Sequence, residues 1–200
     1  MTKTILTDVD GVLVNWNRGF EDFAQSKGFK VVDNRSYYLD KRFGIDTSTS
    51  EKLREEFCNS YKLKFLEPLK KSEIFVKKLY KEFGYRFICI TKIGKSKEIE
   101  DNRTNNLLGI FSTAIQDLIC LDSTESKRDS LFRFAGGFNV WIEDHVGNAQ
   151  LGASMGFKTF LMDHEYNKTA KDIGFTRIND WEDIYKYIKN LEESPPSQIH

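Results

Sequence analysis

Long hydrophobic runs are missing from this chain. None of its 200 residues lies in an apolar stretch approaching the roughly 20 positions that a membrane-spanning helix needs. Met1-Thr2-Lys3-Thr4 leads directly into a short apolar run, so no secretory leader is expected. A charge of one sign is missing too. Thirty basic residues balance thirty acidic ones, so no global field draws the chain to nucleic acid or to an anionic membrane, and any affinity for phosphate has to be local. There are three cysteines, an odd and scattered set. Cys89 and Cys120 fall inside strand-like apolar runs and Cys58 stands apart, which describes buried thiols in a reducing cytoplasm rather than a disulfide framework. With three histidines and none at metal-ligand spacing, His145 is not expected to hold zinc. Internal repeats and low-complexity segments are also absent.

What is present is a rhythm. Five short apolar segments, Thr4–Thr7, Tyr85–Thr91, Ala114–Leu121, Phe138–Glu143 and Phe157–Met162, recur with helical stretches between them. Strands alternating with helices predict an α/β fold whose parallel sheet is covered on both faces. Before the second segment, Val76, Leu79 and Phe83 keep helical spacing and Gly84 ends the helix. A last helix begins near Asp180 and puts Trp181, Ile184, Tyr185, Ile188 and Leu191 on one stripe. The interval from about residue 15 to 71 breaks the rhythm, being too long for an ordinary connection. It holds two helical patterns, about Asn17–Lys27 and Ser50–Lys64, and many aromatics. A small helical cap at 15–71, inserted after the first strand of a core formed by 1–14 and 72–193, accounts for it. Residues 194–200, with Pro195-Pro196, are expected to be a disordered tail.

The chemistry starts at Asp8-Val9-Asp10-Gly11, where the first strand runs into a glycine turn. With a period of two, both carboxylates lean to one side of the strand end. Two crowded acids repel each other unless a cation or a shared proton relieves them. That pattern points to a divalent ion and to a nucleophile paired with an acid/base. A calcium loop of the EF-hand kind needs a Glu at its twelfth position, and counting from Asp8 that place is Gly19. In open α/β sheets, ligands bind beyond the carboxyl ends of the strands. Those ends carry, in order, Asp8 and Asp10, then Thr91, the region up to Lys127, and Glu143-Asp144. Taken singly, Thr91 reads equally as a plain strand end, Lys127 as solvated surface, and Glu143-Asp144 as an acidic pair at a helix start.

Taken together, Asp8-Val9-Asp10-Gly11-Val12-Leu13, Thr91 after Phe87–Ile90, Lys127 and Glu143-Asp144-His145-Val146-Gly147-Asn148 resemble the four motifs of the haloacid dehalogenase (HAD) superfamily, over residues 3–13 and about 72–163. The resemblance implies a three-layer Rossmann-like core and Mg²⁺-dependent phosphomonoester hydrolysis through an aspartyl-phosphate. Asp8 would be the nucleophile and Asp10 the acid/base. Thr91 would bond a phosphoryl oxygen, and Lys127 would neutralise charge, unless Lys92 supplies that cation. The ion would sit on the Asp8 carboxylate, the Asp10 carbonyl and Asp144, and Glu143 would act through a water. Asn148 would orient the loop.

Within the superfamily the chain is most similar to the 5'(3')-deoxyribonucleotidases, through Arg35-Ser36-Tyr37-Tyr38, Phe65-Leu66-Glu67-Pro68, Phe87–Thr91 and the aromatic Trp16. This implies nucleoside 5'- or 3'-monophosphate substrates, with Trp16, Tyr37 and Tyr38 lining a base pocket and Lys92 touching substrate. The chain departs from the family at Lys92, Glu143 and Leu69-Lys70-Lys71. The alternatives are another small phosphoester, a nucleic-acid 3'-phosphate end, or a non-catalytic phosphate-binding module. The balanced charge argues against a polymer.

Overall fold

The structure is a computed structural model and describes residues 3–136 and 139–194. Six strands form one sheet: β1 (Thr4–Thr7), β2 (Arg86–Thr91), β3 (Ile115–Cys120), β4 (Val140–Glu143), β5 (Lys158–Met162) and β6 (Thr176–Ile178). Their order is β3-β2-β1-β4-β5-β6, and every pairing is parallel. This is the α/β class expected. The five expected strands are present, trimmed by a residue or two, and Phe138 lies outside the described residues. β6 was not expected, because three residues are too few to show a period.

Strand alternation sorts side chains to the two faces of the sheet. Ile5, Phe87, Cys89, Val140 and Ile142 enter one apolar cluster, whereas Leu6, Ile88, Ile90 and Trp141 enter another. The first cluster takes in α4 (Ser72–Phe83) and α8 (Trp181–Glu193), and the second takes in Leu131 and Phe157. Ile5 and Leu6, on opposite faces, are both fully buried, so β1 is the centre of the molecule. Gly84, at φ 76°, ends α4, and the Asp180 side chain caps α8. The expected α8 stripe holds through Ile188, but Leu191 is 41% exposed. Among the described residues no helix is long and apolar enough to cross a membrane.

Between β1 and α4 the chain makes a helical excursion: α1 (Trp16–Ser26), α2 (Leu39–Phe43), α3 (Thr47–Cys58) and a 3₁₀ turn (Tyr61–Phe65). The helix expected over 50–64 breaks at Ser60, whose backbone is extended and whose hydroxyl donates to the Phe57 carbonyl. The ends of the excursion are tied together. Asn15 N–H donates to the Glu67 carbonyl at 2.9 Å, and Val14 bridges Pro68. Below them the Ser72 hydroxyl and the Trp181 indole N–H donate to the Leu13 and Val12 carbonyls, at 2.7 and 2.8 Å. The turn after β1 is therefore held from two sides by buried hydrogen bonds.

The remaining α-helices among the described residues are α5 (Lys97–Phe111), followed by a 3₁₀ turn (Ser112–Ala114), α6 (Arg128–Phe132) and α7 (Val146–Ser154), which follows β4. A Cβ on Gly152 of α7 would sit 2.4 Å from Trp141 Cδ1. Replacing a helical Gly by Ala gains roughly 1 kcal/mol of propensity, whereas overpacking a core costs about 1–3 kcal/mol. Overpacking wins here because Trp141 is fully buried. Gly152→Ala is therefore expected to lower the urea midpoint, and an unchanged or raised midpoint would show that Trp141 can shift.

Candidate active site

β1 and β4 are neighbours, and the Asp8 N–H continues their ladder onto the Ile142 carbonyl at 2.8 Å. The register sets Asp8 beside Glu143 and Asp144. Oxygens of these three buried carboxylates lie within 4.8 Å of one another. Into this group comes Lys127, 1% exposed, whose Nζ lies 2.9 Å from Asp8 Oδ2 and 2.7 Å from Glu143 Oε1. Lys127 thus faces the Asp8 carboxylate. Lys92 lines the cleft outside it.

Glu143 is saturated. Its Oε1 accepts from Lys127 and from Asn148 Nδ2, and its Oε2 accepts the N–H groups of Asp144 and His145 at 2.7 and 2.8 Å. These partners fill the four acceptor sites of a carboxylate, which leaves none for the water-mediated role expected of it. Burial would raise the Glu143 pKa, but Lys127 and the His145 N–H outweigh it and hold the group at about 2. Asp8 has the opposite balance. Burial first, then Glu143, push its carboxyl up to about 8 against the pull of Lys127. Asp144 is likewise raised, by burial and then by Glu143 and Asp8.

Asp10 points elsewhere. Its Oδ1 takes Arg103 Nη2 at 2.5 Å, and its Oδ2 accepts from the Thr91 hydroxyl at 3.2 Å. Arg103, on α5, is fully buried, and its Nε and Nη1 have no hydrogen-bond partner among the described residues. With its carboxylate turned to Arg103 and Thr91, Asp10 can offer an ion its backbone carbonyl. Four carboxylates thus share the site with two cations, Lys127 and Arg103. Hard oxygen donors in negative excess suit a divalent ion such as Mg²⁺. The fit is best at Asp8 and Asp144, whose ionised forms burial and Glu143 disfavour until a cation relieves them.

Gly11 makes the close approach possible. Its φ is 76°, and a Cβ there would fall 2.2 Å from Asp144 Oδ2. His164 Nε2 donates to the Gly11 carbonyl at 2.7 Å, so this nitrogen carries the proton. The His164 ring stacks on Tyr166, whose hydroxyl donates to Asp144 Oδ2. Sequence reasoning missed Arg103, His164 and Tyr166. Arg103 had a signal: with Ile99, Asn106 and Leu107 it forms the buried side of α5, an arginine on an apolar face. The two residues after β5 had none.

A cavity of about 350 Å³ opens above Asp8 and is lined by Trp16, Tyr37, Tyr38, Arg54 and Lys92 among others. Trp16 also stacks on Phe20 at 4.7 Å and meets Phe57 edge-on, so it shares the core of the excursion with buried Phe23 and Phe43. The Tyr37 ring contacts His145 and Tyr166 across the cleft, at 4.9 and 5.4 Å. Tyr38 lies edge-on to Tyr37 and is 61% exposed. The three cysteines are free and buried, and burial pushes Cys58 up to about 11 and Cys120 to about 12, so they remain thiols.

No family model matches the chain. An uncharacterized 32.4 kDa protein of Enterobacteria phage T4, from the Gp30-rIII intergenic region, is 30% identical over 153 residues, covering 72% of this chain and 54% of that protein. The chain thus spans about half the length of that relative. Among solved structures, a haloacid dehalogenase-like hydrolase from Streptococcus pneumoniae superposes with a TM-score of 0.65 at 12% identity, over 93% of this chain and 98% of that one. The D,D-heptose 1,7-bisphosphate phosphatase of Burkholderia thailandensis gives 0.56 at 11% identity, over 94% and 98%. Protein tyrosine kinase A of Mycobacterium tuberculosis gives 0.66 at 12% identity, over 94% and 98%. The fold is that of the haloacid dehalogenase-like hydrolases.

Proposed function

We propose that the protein is a Mg²⁺-dependent phosphomonoester hydrolase working through an aspartyl-phosphate on Asp8, and that its substrates are nucleoside 5'- or 3'-monophosphates. One observation carries the first part: Asp8 Oδ2 lies 2.9 Å from a buried lysine, with a second aspartate two residues on and Asp144 alongside. A phosphatase among the proteins of this fold agrees with the reading, although fold alone does not set chemistry.

In this reading Asp8 Oδ attacks phosphorus and the ester oxygen departs, taking a proton from Asp10. Asp10 then draws a proton from water as that water attacks the aspartyl-phosphate, which releases inorganic phosphate and frees Asp8. The Asp8 and Asp144 carboxylates and the Asp10 carbonyl would hold the ion. When bound, Mg²⁺ would neutralise and orient the phosphoryl oxygens. Lys127 stabilises charge on Asp8 and the transferring group, a contribution on the order of 3–4 kcal/mol per donor in comparable sites. Arg103 and Thr91 fix the Asp10 carboxylate between its two proton transfers. Segment 15–71 serves as a cap over the cleft. The nucleotide assignment is supported by the aromatic lining at Trp16, Tyr37 and Tyr38, which suits a flat base.

Two outcomes follow. Against a panel of 5'- and 3'-nucleotides and sugar phosphates, nucleotides should be turned over fastest, and Asp8→Asn should lose at least about a thousandfold in kcat. Preference for a sugar phosphate would remove the nucleotide assignment, and an active Asp8→Asn would remove the nucleophile. The second outcome concerns the ion. With its pKa at about 8, metal-free Asp8 carries a proton at neutral pH, and an ion must displace that proton. Mg²⁺ affinity should therefore rise as pH increases through neutrality, where Asp8 and the likewise raised Asp144 give up their protons. Calorimetry in buffers of differing ionisation enthalpy should show proton release on binding near neutrality, and a flat pH profile would contradict this.

A further inference from the structure

We propose that the cleft contains a second anion subsite, formed by Arg54 and Lys92, which takes a phosphate or phosphodiester carried by the substrate beyond the phosphoryl group at Asp8. The inference rests on the phosphatase reading but not on the identity of the base.

Arg54 stands on α3, and its Nη2 donates to the Lys92 backbone carbonyl at 2.7 Å. This contact ties the Arg54 side chain to the Lys92 backbone, and both residues line the cleft there. Both are half-buried, and among the described residues neither makes an ion pair. Lys127, the other cation lining the cleft, is spent on Asp8 and Glu143. Guanidinium has five donors, and Arg54 commits one of them to the carbonyl. What remains is a fork suited to a phosphate, and Lys92 lines the same cavities.

The space continues at this point. Arg54 and Lys92 line both the cavity above Asp8 and an adjoining one of about 980 Å³. The second cavity runs on to Asn148, Ser123, Thr124 and Ser96, hydrogen-bonding side chains suited to a polar ligand. Ser96 is the N-cap of the fifteen-residue α5, so the positive end of that helix borders the same space. Glu51 and Glu55 on α3 and Asp122 across the cavity share it, but all three are exposed, where water and salt screen them. A compound with one phosphate would leave this wall unused. A nucleoside bisphosphate, or the phosphorylated end of a strand with its next phosphodiester, would engage both ends of the cleft.

The test compares, with Mg²⁺ present, deoxyadenosine 5'-monophosphate, deoxyadenosine 3',5'-bisphosphate and a short 5'-phosphorylated oligodeoxynucleotide. At least one of the two larger compounds should exceed the monophosphate in kcat/KM by about tenfold or more, since hydrogen bonds to charged groups are the strong ones. Preference for the bisphosphate identifies a small ligand, and preference for the oligonucleotide identifies a strand end. Arg54→Met with Lys92→Met should collapse that ratio to within about twofold. Binding of the same compounds to Asp8→Asn, followed by calorimetry, should show the same ranking and judges the subsite even where turnover is nil. Equal kcat/KM for all three compounds, or equal affinities in Asp8→Asn, would overturn the inference. Absence of phosphate release together with ranked binding would instead count against the phosphatase reading alone.

Discussion

A single buried ammonium holds the centre of this molecule together. Lys127 Nζ reaches the end of β1 at Asp8 and the end of β4 at Glu143, at 2.9 and 2.7 Å, from a segment that belongs to neither strand. Removing one partner of such a buried arrangement costs about 3–5 kcal/mol, because the charge left behind has no water to replace it. The cation is shared unequally. Glu143 has two backbone N–H groups and Asn148 in addition, so it takes most of the neutralisation. Burial and Glu143 disfavour the ionised forms of Asp8 and Asp144, which is the condition a divalent ion relieves.

The topology makes that arrangement possible. In the order β3-β2-β1-β4-β5-β6 the chain leaves the central strand β1 toward both edges, and the carboxyl ends of β1 and β4 meet at the switch point. Gly11 turns the backbone there at φ 76° and makes room for Asp144, and His164 holds its carbonyl from the far side. The excursion over 15–71 returns to the same turn, clamped at Asn15–Glu67 and Val14–Pro68. Aromatic rings and acid–base groups therefore face each other across one cleft.

Much of this was legible in the sequence, because it is written locally. Short apolar runs between helical stretches marked the strands, Gly84 and Asp180 marked helix ends, and the Asp8-Val9-Asp10-Gly11 tetrad marked the turn. Asp8, Thr91 and Asp144 could be picked out because each lies at or just past a strand end, and Lys127 through its place in the four-motif resemblance. What stayed hidden depends on packing between distant segments. Arg103 meets Asp10 across 93 positions, and Tyr166 meets Asp144 across 22, with no spacing rule to join them. β6 and α2 are too short to show a period, and the break at Ser60 turns on one hydroxyl. The choice between Lys127 and Lys92 as the cation facing Asp8 likewise needed geometry, since Lys127 sits in a charged stretch that reads as solvated surface.

The central claim is that Asp8, and no other group, takes the phosphoryl. The most direct measurement is peptide mass spectrometry on protein mixed with Mg²⁺ and a turned-over phosphoester, then quenched in acid. With an aryl phosphate, whose leaving group departs without a proton, Asp10→Asn slows only the attack of water on the intermediate and serves to accumulate it. The account predicts one added phosphoryl group on the peptide containing Asp8. Phosphate release with the label on another residue, or with none at any time point, would contradict it.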